Sequence, residues 1–228
     1  KGGIHVNAIL KNPCTYEHMD PELVGNRRRV LVSELAGASN ISFKAREFGL
    51  DILKDSDSTR RLSNEIKELE HRGYQFEGAD ASLELLLRRG IGEDGEFFTL
   101  ESLKILVEKR PANGGGEESI NCEATIKLRV GDQVMHTAAE GEGPVNAVDN
   151  ALRKALEGFY PALKEMHLVD YKVRVLDGKD GTSAKVRVLI ESADSTETWS
   201  TVGVSENIIE ASWQALTDSM NYFLMRRQ

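Results

Sequence analysis

An internal repeat constrains the fold more than any other feature of this sequence. Residues 105–156 match residues 169–220 in their pattern of apolar and small side chains, without a gap, so that Ile126 corresponds to Ile190. In each copy the apolar residues first alternate, as in half-buried strands, and then recur at helical spacing. We therefore expect an α+β fold built from two pseudo-symmetric βββα units, 96–160 and 161–228, with a helix on one face of each sheet.

The expected strands and helices follow from these patterns. Alternating apolar residues predict strands near residues 103–107, 120–130 and 134–140 of the first copy. Pro144 suits the first turn of the helix that follows, because that position needs no backbone N–H donor. In the second copy, residues 209–220 carry an apolar stripe at helical spacing, which predicts a helix packed on the sheet.

Residues 30–95 are predicted to form a helical connector, with no sheet of their own. One helix carries the apolar residues Leu62, Ile66 and Leu69 at spacings of four and three, and a second begins near Asp80. The surfaces of both are rich in charged residues, so the segment reads as connecting elements placed before the paired units.

The composition indicates an ordinary soluble chain. It has 228 residues, 40% of them hydrophobic, and no apolar run approaches the roughly 20 residues of a membrane span. The net charge of −8 argues against binding to nucleic acid, which usually needs a basic face. Cys14 and Cys122 are isolated and predict neither a disulfide nor a zinc site, so we expect a reducing cytoplasm. No signal-peptide pattern opens the sequence, and its start at Lys1 suggests part of a longer protein.

The start of the chain contains motifs that resemble a known enzyme family. The segments KGGIHVNA, LKNP, TYE and DPELVG stand at residues 1–8, 10–13, 15–17 and 20–25. They resemble the family of 2-isopropylmalate, homocitrate and citramalate synthases, and residues 26–37 look most like the citramalate synthases of bacteria. The repeat resembles the C-terminal regulatory dimer domain of the same family, so the resemblance covers nearly the whole chain.

The resemblance implies a catalytic role for two residues. Enzymes of this family condense acetyl-CoA with a 2-keto acid, which is bound to a divalent metal (Mg, Mn or Zn) in a TIM barrel. Residues 1–29 would follow that barrel, which we expect to lie outside this chain, and no metal or other cofactor is expected within the chain itself. The resemblance assigns His5 to proton transfer and Tyr16 to the active site, although Asn7 departs from the aspartate common in isopropylmalate synthases.

A candidate effector site also follows from the resemblance. The family binds its effector near a Gly-x-Gly-Pro turn, and glycines allow a ligand to approach the backbone closely. The candidates are Gly141, Gly143, Pro144, Val145, Ala147, Asp170 and Tyr171. A helix N-terminus at the turn favours the carboxylate of an amino acid, and Asp170 could pair with its ammonium group. The glycines could instead serve only the turn between strand and helix.

The resemblance implies a regulatory function within an acyltransferase. The best hypothesis is a homodimeric C-terminal part of an enzyme that makes citramalate from acetyl-CoA and pyruvate, inhibited by isoleucine. One alternative is 2-isopropylmalate synthase with leucine as the effector. Another is a stand-alone module that binds an amino acid or only dimerises. The sequence leaves open which keto acid is used, because the substrate pocket would lie mostly in the barrel.

Overall fold

The computed structural model describes Ala8, Asn12, Met19 and residues 21–25, 38–50, 56–93, 95–110, 119–176 and 178–227. These residues fall into two compact units, Lys1–Asp94 and Gly95–Gln228. No helix within the described ranges is long and apolar enough to cross a membrane.

The first unit is helical in its described part. A short 3-10 turn covers Pro21–Val24, and three helices follow: α1 (Ala38–Glu47), α2 (Ser56–His71) and α3 (Asp80–Gly90). The predicted helix with Leu62 and Ile66 is α2, and both side chains are fully buried. Gly90 lies so close to α2 that a Cβ atom there would stand 2.2 Å from a methyl group of Leu62, so a larger residue at this crossing would require the Leu62 side chain to shift.

The second unit contains the two predicted βββα repeats. The first consists of β1 (Thr99–Arg110), β2 (Ser119–Val130), β3 (Gln133–Gly141) and α4 (Pro144–Leu156). The second consists of β4 (His167–Val175), β5 (Val186–Ala193), β6 (Thr198–Ser205) and α5 (Ile208–Arg226). Each set of strands forms an antiparallel sheet in sequence order, β1-β2-β3 and β4-β5-β6. The α+β fold predicted from the sequence is thereby confirmed.

Each helix packs on one face of its own sheet. α4 lies mainly over β2 and β3, and α5 lies mainly over β5 and β6. The core between them comes from alternate residues of the middle strands, which are buried, and from the apolar stripes of the helices. These residues include Ala124, Ile126, Leu128, Val148, Leu152, Val188, Ile190, Trp213, Leu216 and Met220. The predicted stripe along α5 is therefore core, as expected.

The prediction of a repeat without a gap is wrong for the first strand of each copy. Leu103 pairs with Ile126 in the first sheet, whereas Tyr171 pairs with Ile190 in the second. In the middle strands, equivalent residues of the two copies keep the spacing read from the sequence. In the first strands, the equivalent residues lie four positions further apart than that spacing. Because four is an even number, every side chain stays on the same face of the sheet, and the alternating pattern cannot reveal the displacement.

Candidate functional site

The turn between β3 and α4 contains most of the predicted effector residues. β3 ends at Gly141, which pairs with Cys122, and α4 begins at Pro144 after Gly143 in the N-cap position. Pro144 fits the first helical position because it has no N–H to leave unpaired. The turn thus brings Gly141, Gly143 and Pro144 to the N-terminal end of α4.

The two glycines of the turn have different environments. A Cβ atom on Gly141 would lie 2.4 Å from the backbone nitrogen of Ala147, so only glycine allows β3 and α4 to approach this closely. Gly143 has an extended backbone, with φ of −160°, and nothing within 4 Å of the place a Cβ atom would take. Gly141 therefore has a packing reason to be glycine, whereas Gly143 leaves open space at the end of the helix.

Two asparagines hold the turn in place. The side-chain oxygen of Asn146 accepts a hydrogen bond of 3.0 Å from the backbone N–H of Glu142. Asn150 donates from Nδ2 to the carbonyl oxygen of Glu140 at 2.9 Å. Sequence reasoning did not identify these residues, although a pair of asparagines four positions apart at the start of a helix was a signal that could have been used.

The helix ends of the two repeats differ in their capping. α5 is capped by Asn207, whose side-chain oxygen accepts a hydrogen bond of 2.9 Å from the N–H of Ile209. Gly143, in the corresponding position before α4, has no side chain and makes no such bond. Backbone N–H groups in the first turn of a helix have no partner within the helix and attract negative charge. The end of α4 is therefore the more accessible of the two for a carboxylate.

The predicted apolar contacts of the site differ in exposure. Val145 is half-buried in the first turn of α4, so part of its side chain remains accessible. Ala147 is fully buried in the contact with Gly141. Of the two, Val145 is the residue whose side chain a ligand could reach directly in this conformation.

Asp170 and Tyr171 lie on β4, the first strand of the other repeat. The carboxylate of Asp170 accepts from the N–H of Tyr171 at 2.9 Å and forms an ion pair with Lys172. The hydrogen bond from Lys172 is the largest cause that lowers the pKa of Asp170 below its usual range. Asp170 is thus a half-buried anion with a cationic partner already beside it.

The hydroxyl of Tyr171 is fixed by a chain of two hydrogen bonds. It lies 2.8 Å from Oγ of Ser212, and Ser212 donates in turn to the carbonyl oxygen of Ile208 at 2.6 Å. Since Ser212 has a single hydroxyl hydrogen, Tyr171 is the donor in the first bond. The lone pairs of the phenol oxygen remain able to accept a hydrogen bond.

The two predicted catalytic residues, His5 and Tyr16, lie outside the described residues, so their positions remain predictions. Within the described ranges no group of three His, Cys, Asp or Glu side chains could hold a metal ion.

Fold and site together define a domain of paired βββα units with one open helix end. The family described as the LeuA allosteric (dimerisation) domain matches residues 77–224, and the chain belongs to this family. A second family, described as homocitrate synthase post-HMGL domain-like, matches residues 1–74.

Comparison with curated proteins agrees with both matches. The chain is 54% identical over 228 residues to a protein named (R)-citramalate synthase from Geobacter sulfurreducens, covering 100% of this chain and 42% of that protein. It is 53% identical over 227 residues to the (R)-citramalate synthase of Aquifex aeolicus, covering 99% and 42%. A third, from Sulfolobus acidocaldarius, is 40% identical over 225 residues, covering 98% and 40%. The chain thus spans about two fifths of the length of these relatives, and the resemblance recognised in the sequence is confirmed.

Proposed function

We propose that this chain is the C-terminal, regulatory part of an acyltransferase that condenses acetyl-CoA with a 2-keto acid. Pyruvate is the proposed keto acid and citramalate the product, on the route to isoleucine. Support comes from relatives named (R)-citramalate synthase and from membership of an allosteric domain family. A divalent metal and the substrate pocket would belong to a catalytic barrel in the longer protein.

The regulatory signal in this proposal is a branched-chain amino acid, with isoleucine as the first candidate. The observation that carries the proposal is the open N-terminus of α4 at Gly143, beside the accessible side chain of Val145. The carboxylate of the effector would accept hydrogen bonds from the first backbone N–H groups of α4, where the helix dipole also favours negative charge. An aliphatic side chain would gain contact with Val145.

Asp170 would recognise the ammonium group, which could replace Lys172 as the partner of its carboxylate. Tyr171 lies on the opposite face of β4, where its hydroxyl hydrogen is committed to Ser212, so the same ammonium group would not reach it. Because the candidates belong to different repeats of the domain, a two-fold dimer could complete the site from two subunits. The turn before α5 would be a poorer site, since the side chain of Asn207 already accepts from the N–H of Ile209 there.

Calorimetric titration of the 228-residue chain tests the proposal. We expect saturable binding of L-isoleucine that is tighter than that of L-leucine, with D-isoleucine as the control for stereospecific recognition. Tighter binding of L-leucine would favour the alternative, a 2-isopropylmalate synthase with leucine feedback. If neither amino acid binds to the folded chain at about millimolar concentration, the sensor proposal fails and a module for dimerisation alone takes its place.

The nature of the longer protein needs a separate test. The coding sequence upstream of Lys1 should continue in frame into a barrel that carries the metal ligands. The intact enzyme should form citramalate from acetyl-CoA and pyruvate, and should be inhibited by the amino acid that binds to this chain. An independent start codon next to Lys1 would favour a stand-alone amino-acid-binding module instead.

A further inference from the structure

We propose that Tyr160 and Asn221 hold Phe97 in a clamp, and that this clamp transmits effector binding from α4 to the segment that leads back to the first unit. Phe97 lies close to the start of the second unit, before β1 begins. The proposal concerns the regulation exerted by the effector site at the N-terminus of α4, so it rests on the proposed function. Tyr160 and Asn221 are positioning residues, because neither is among the candidate effector residues.

Both backbone polar groups of Phe97 are bonded to side chains from distant parts of the second unit. The N–H of Phe97 donates to Oδ1 of Asn221 at 3.2 Å, and its carbonyl oxygen accepts from the hydroxyl of Tyr160 at 2.9 Å. The rings of Phe97 and Tyr160 also meet edge to face, with their centroids 5.8 Å apart. Asn221 is buried in α5, so the core of the unit holds the acceptor of the first bond. Phe97 is thus fixed through both of its peptide groups.

Tyr160 is attached to the end of α4 opposite to the candidate effector site. α4 ends at Leu156, whose carbonyl oxygen accepts from the N–H of Tyr160 at 2.8 Å. Arg153, in the last turn of α4, donates to two carbonyl oxygens of the segment after Tyr160, at 2.9 and 3.1 Å, and so fixes that segment to the helix. A helix moves as a rigid element because its backbone hydrogen bonds keep its length. A shift of α4 on effector binding would therefore move Tyr160 and, with it, the carbonyl group of Phe97.

The first unit has a fixed point of its own on the other side of the connection. Arg88 in α3 donates to Oε1 of buried Glu84 at 2.7 and 3.0 Å, and to the carboxylate of Glu93 at 2.6 Å. Glu93 is thereby held to α3, and residues 94–96 are all that separates it from Phe97 in the sequence. The length of so short a connection limits how far Phe97 can move without displacing Glu93. A displacement at the clamp would thus reach α3 along the chain itself.

A purely structural role is the alternative for the same two bonds. Phe97 precedes the paired part of β1, which begins at Thr99, so side chains could serve only to satisfy its N–H and carbonyl groups. In that case, loss of the clamp lowers stability and leaves inhibition intact. If the clamp transmits effector binding, its loss weakens inhibition while the effector still binds.

Tyr160→Phe separates these two roles, because it removes one hydrogen bond and keeps the ring that contacts Phe97. Calorimetry measures the binding of isoleucine, or of leucine if leucine binds more tightly, to the variant chain. The intact enzyme is then assayed with and without a saturating concentration of the same amino acid. Thr201→Val is the matched control, since it removes a hydrogen bond of the second unit that does not involve Phe97. Asn221→Ala removes the other bond of the clamp and replaces Tyr160→Phe if the latter does not fold.

We expect the Tyr160→Phe chain to bind the amino acid with an affinity within about twofold of the wild type. The intact Tyr160→Phe enzyme should keep its basal activity. The factor by which the saturating amino acid lowers activity should be smaller than in the wild type by about fivefold, because one hydrogen bond of the coupling is lost. Thr201→Val should bind the amino acid and be inhibited like the wild type.

Three results would overturn transmission through the clamp and leave the proposed function intact. These are wild-type inhibition of Tyr160→Phe, an equal loss of inhibition in Thr201→Val, and loss of amino-acid binding by the Tyr160→Phe chain. In the last case, Tyr160 would act on the effector site and not downstream of it. A wild-type enzyme that neither isoleucine nor leucine inhibits would instead overturn the proposed function, and the clamp would then serve only to position the start of β1.

Discussion

Thr201 donates its hydroxyl hydrogen to the carbonyl oxygen of Ala215 at 2.7 Å, and this bond connects β6 to α5. Thr137 makes the same bond to Ala151 at 3.0 Å, at the equivalent positions of β3 and α4 in the first repeat. The two repeats therefore hold their helices to their third strands by the same side-chain contact. Thr201 is fully buried, whereas Thr137 is half-buried.

Replacing Thr201 by valine should destabilise the second unit by about 1 kcal/mol, the net contribution of a typical hydrogen bond. Valine has nearly the same shape as threonine, so the change removes the bond with little change in packing. Urea unfolding followed by circular dichroism measures the loss in this variant and in the control, because the signal comes from both repeats. Thr137→Val is the control and should cost less, since water can reach its partners. Equal losses in both variants would contradict the difference in burial.

The two glycines of the β3–α4 turn should respond differently to alanine. Gly141→Ala places a methyl group against the backbone of Ala147, which has no flexible side chain to move, so we expect a loss of about 1–3 kcal/mol. Gly143→Ala enters open space and should cost less than Gly141→Ala, about 0.5–1 kcal/mol, because alanine is a poorer N-cap residue than glycine. The melting temperatures of the two variants, measured by thermal unfolding, test this difference in stability. A neutral Gly141→Ala variant would show that the close approach of β3 and α4 is not required.

The loop between β5 and β6 should make stability depend on pH. Asp194 accepts hydrogen bonds from the hydroxyl and N–H of Thr196, each at 2.7 Å, and it also pairs with Arg227. These contacts, the Thr196 hydroxyl first, hold the pKa of Asp194 well below its usual range. A carboxyl whose pKa is lower in the folded than in the unfolded state stabilises the fold above its unfolded pKa, about 4. That contribution is lost as the pH falls through the folded pKa.

Asp194→Asn should therefore lower the melting temperature at pH 7, and the difference from wild type should shrink below about pH 4. Thermal unfolding across this range measures it. Asp132→Asn, in the exposed turn after β2, is the control and should not reproduce this convergence. If the difference in melting temperature between Asp194→Asn and wild type stays constant with pH, the loop depends on the shape of the Asp194 side chain and not on its charge.

The sequence predicted the helices and strands well because their periodicity is local. α4 begins at Pro144 and α5 at Ile208, which keeps the offset between the two copies read from the sequence. The displacement of β1 relative to β4 was missed, because a slip of four positions preserves the side of every residue. The register of a strand depends on its partner strand, so it cannot be derived from the sequence of one strand alone.

The position of the turn that carries the candidate site could be predicted from the sequence, whereas the contacts within the turn could not. The Gly-x-Gly-Pro motif identified the turn, and the structure places it at the N-terminus of α4. Gly141 must be glycine because the backbone of Ala147 lies so close to it. The sequence does not reveal how closely the strand and the helix approach each other, so this requirement could not be predicted. The capping of α5 by Asn207 was accessible from the sequence, since asparagine is a preferred N-cap residue.

Gly143→Asp is the variant that tests the proposed effector site most directly. An aspartate in the N-cap position can accept from a backbone N–H in the first turn of α4, as Asn207 does from Ile209 in α5, and its charge would repel the carboxylate of an incoming amino acid. The variant should be at least as stable as the wild type, yet bind isoleucine at least about tenfold more weakly in calorimetry. Gly143→Ala is the matched control and should retain binding, because a methyl group fits the open space and occupies no N–H group. In the intact enzyme, Gly143→Asp should keep its basal activity and lose inhibition by isoleucine. Binding of isoleucine to Gly143→Asp with wild-type affinity would move the effector away from the end of α4.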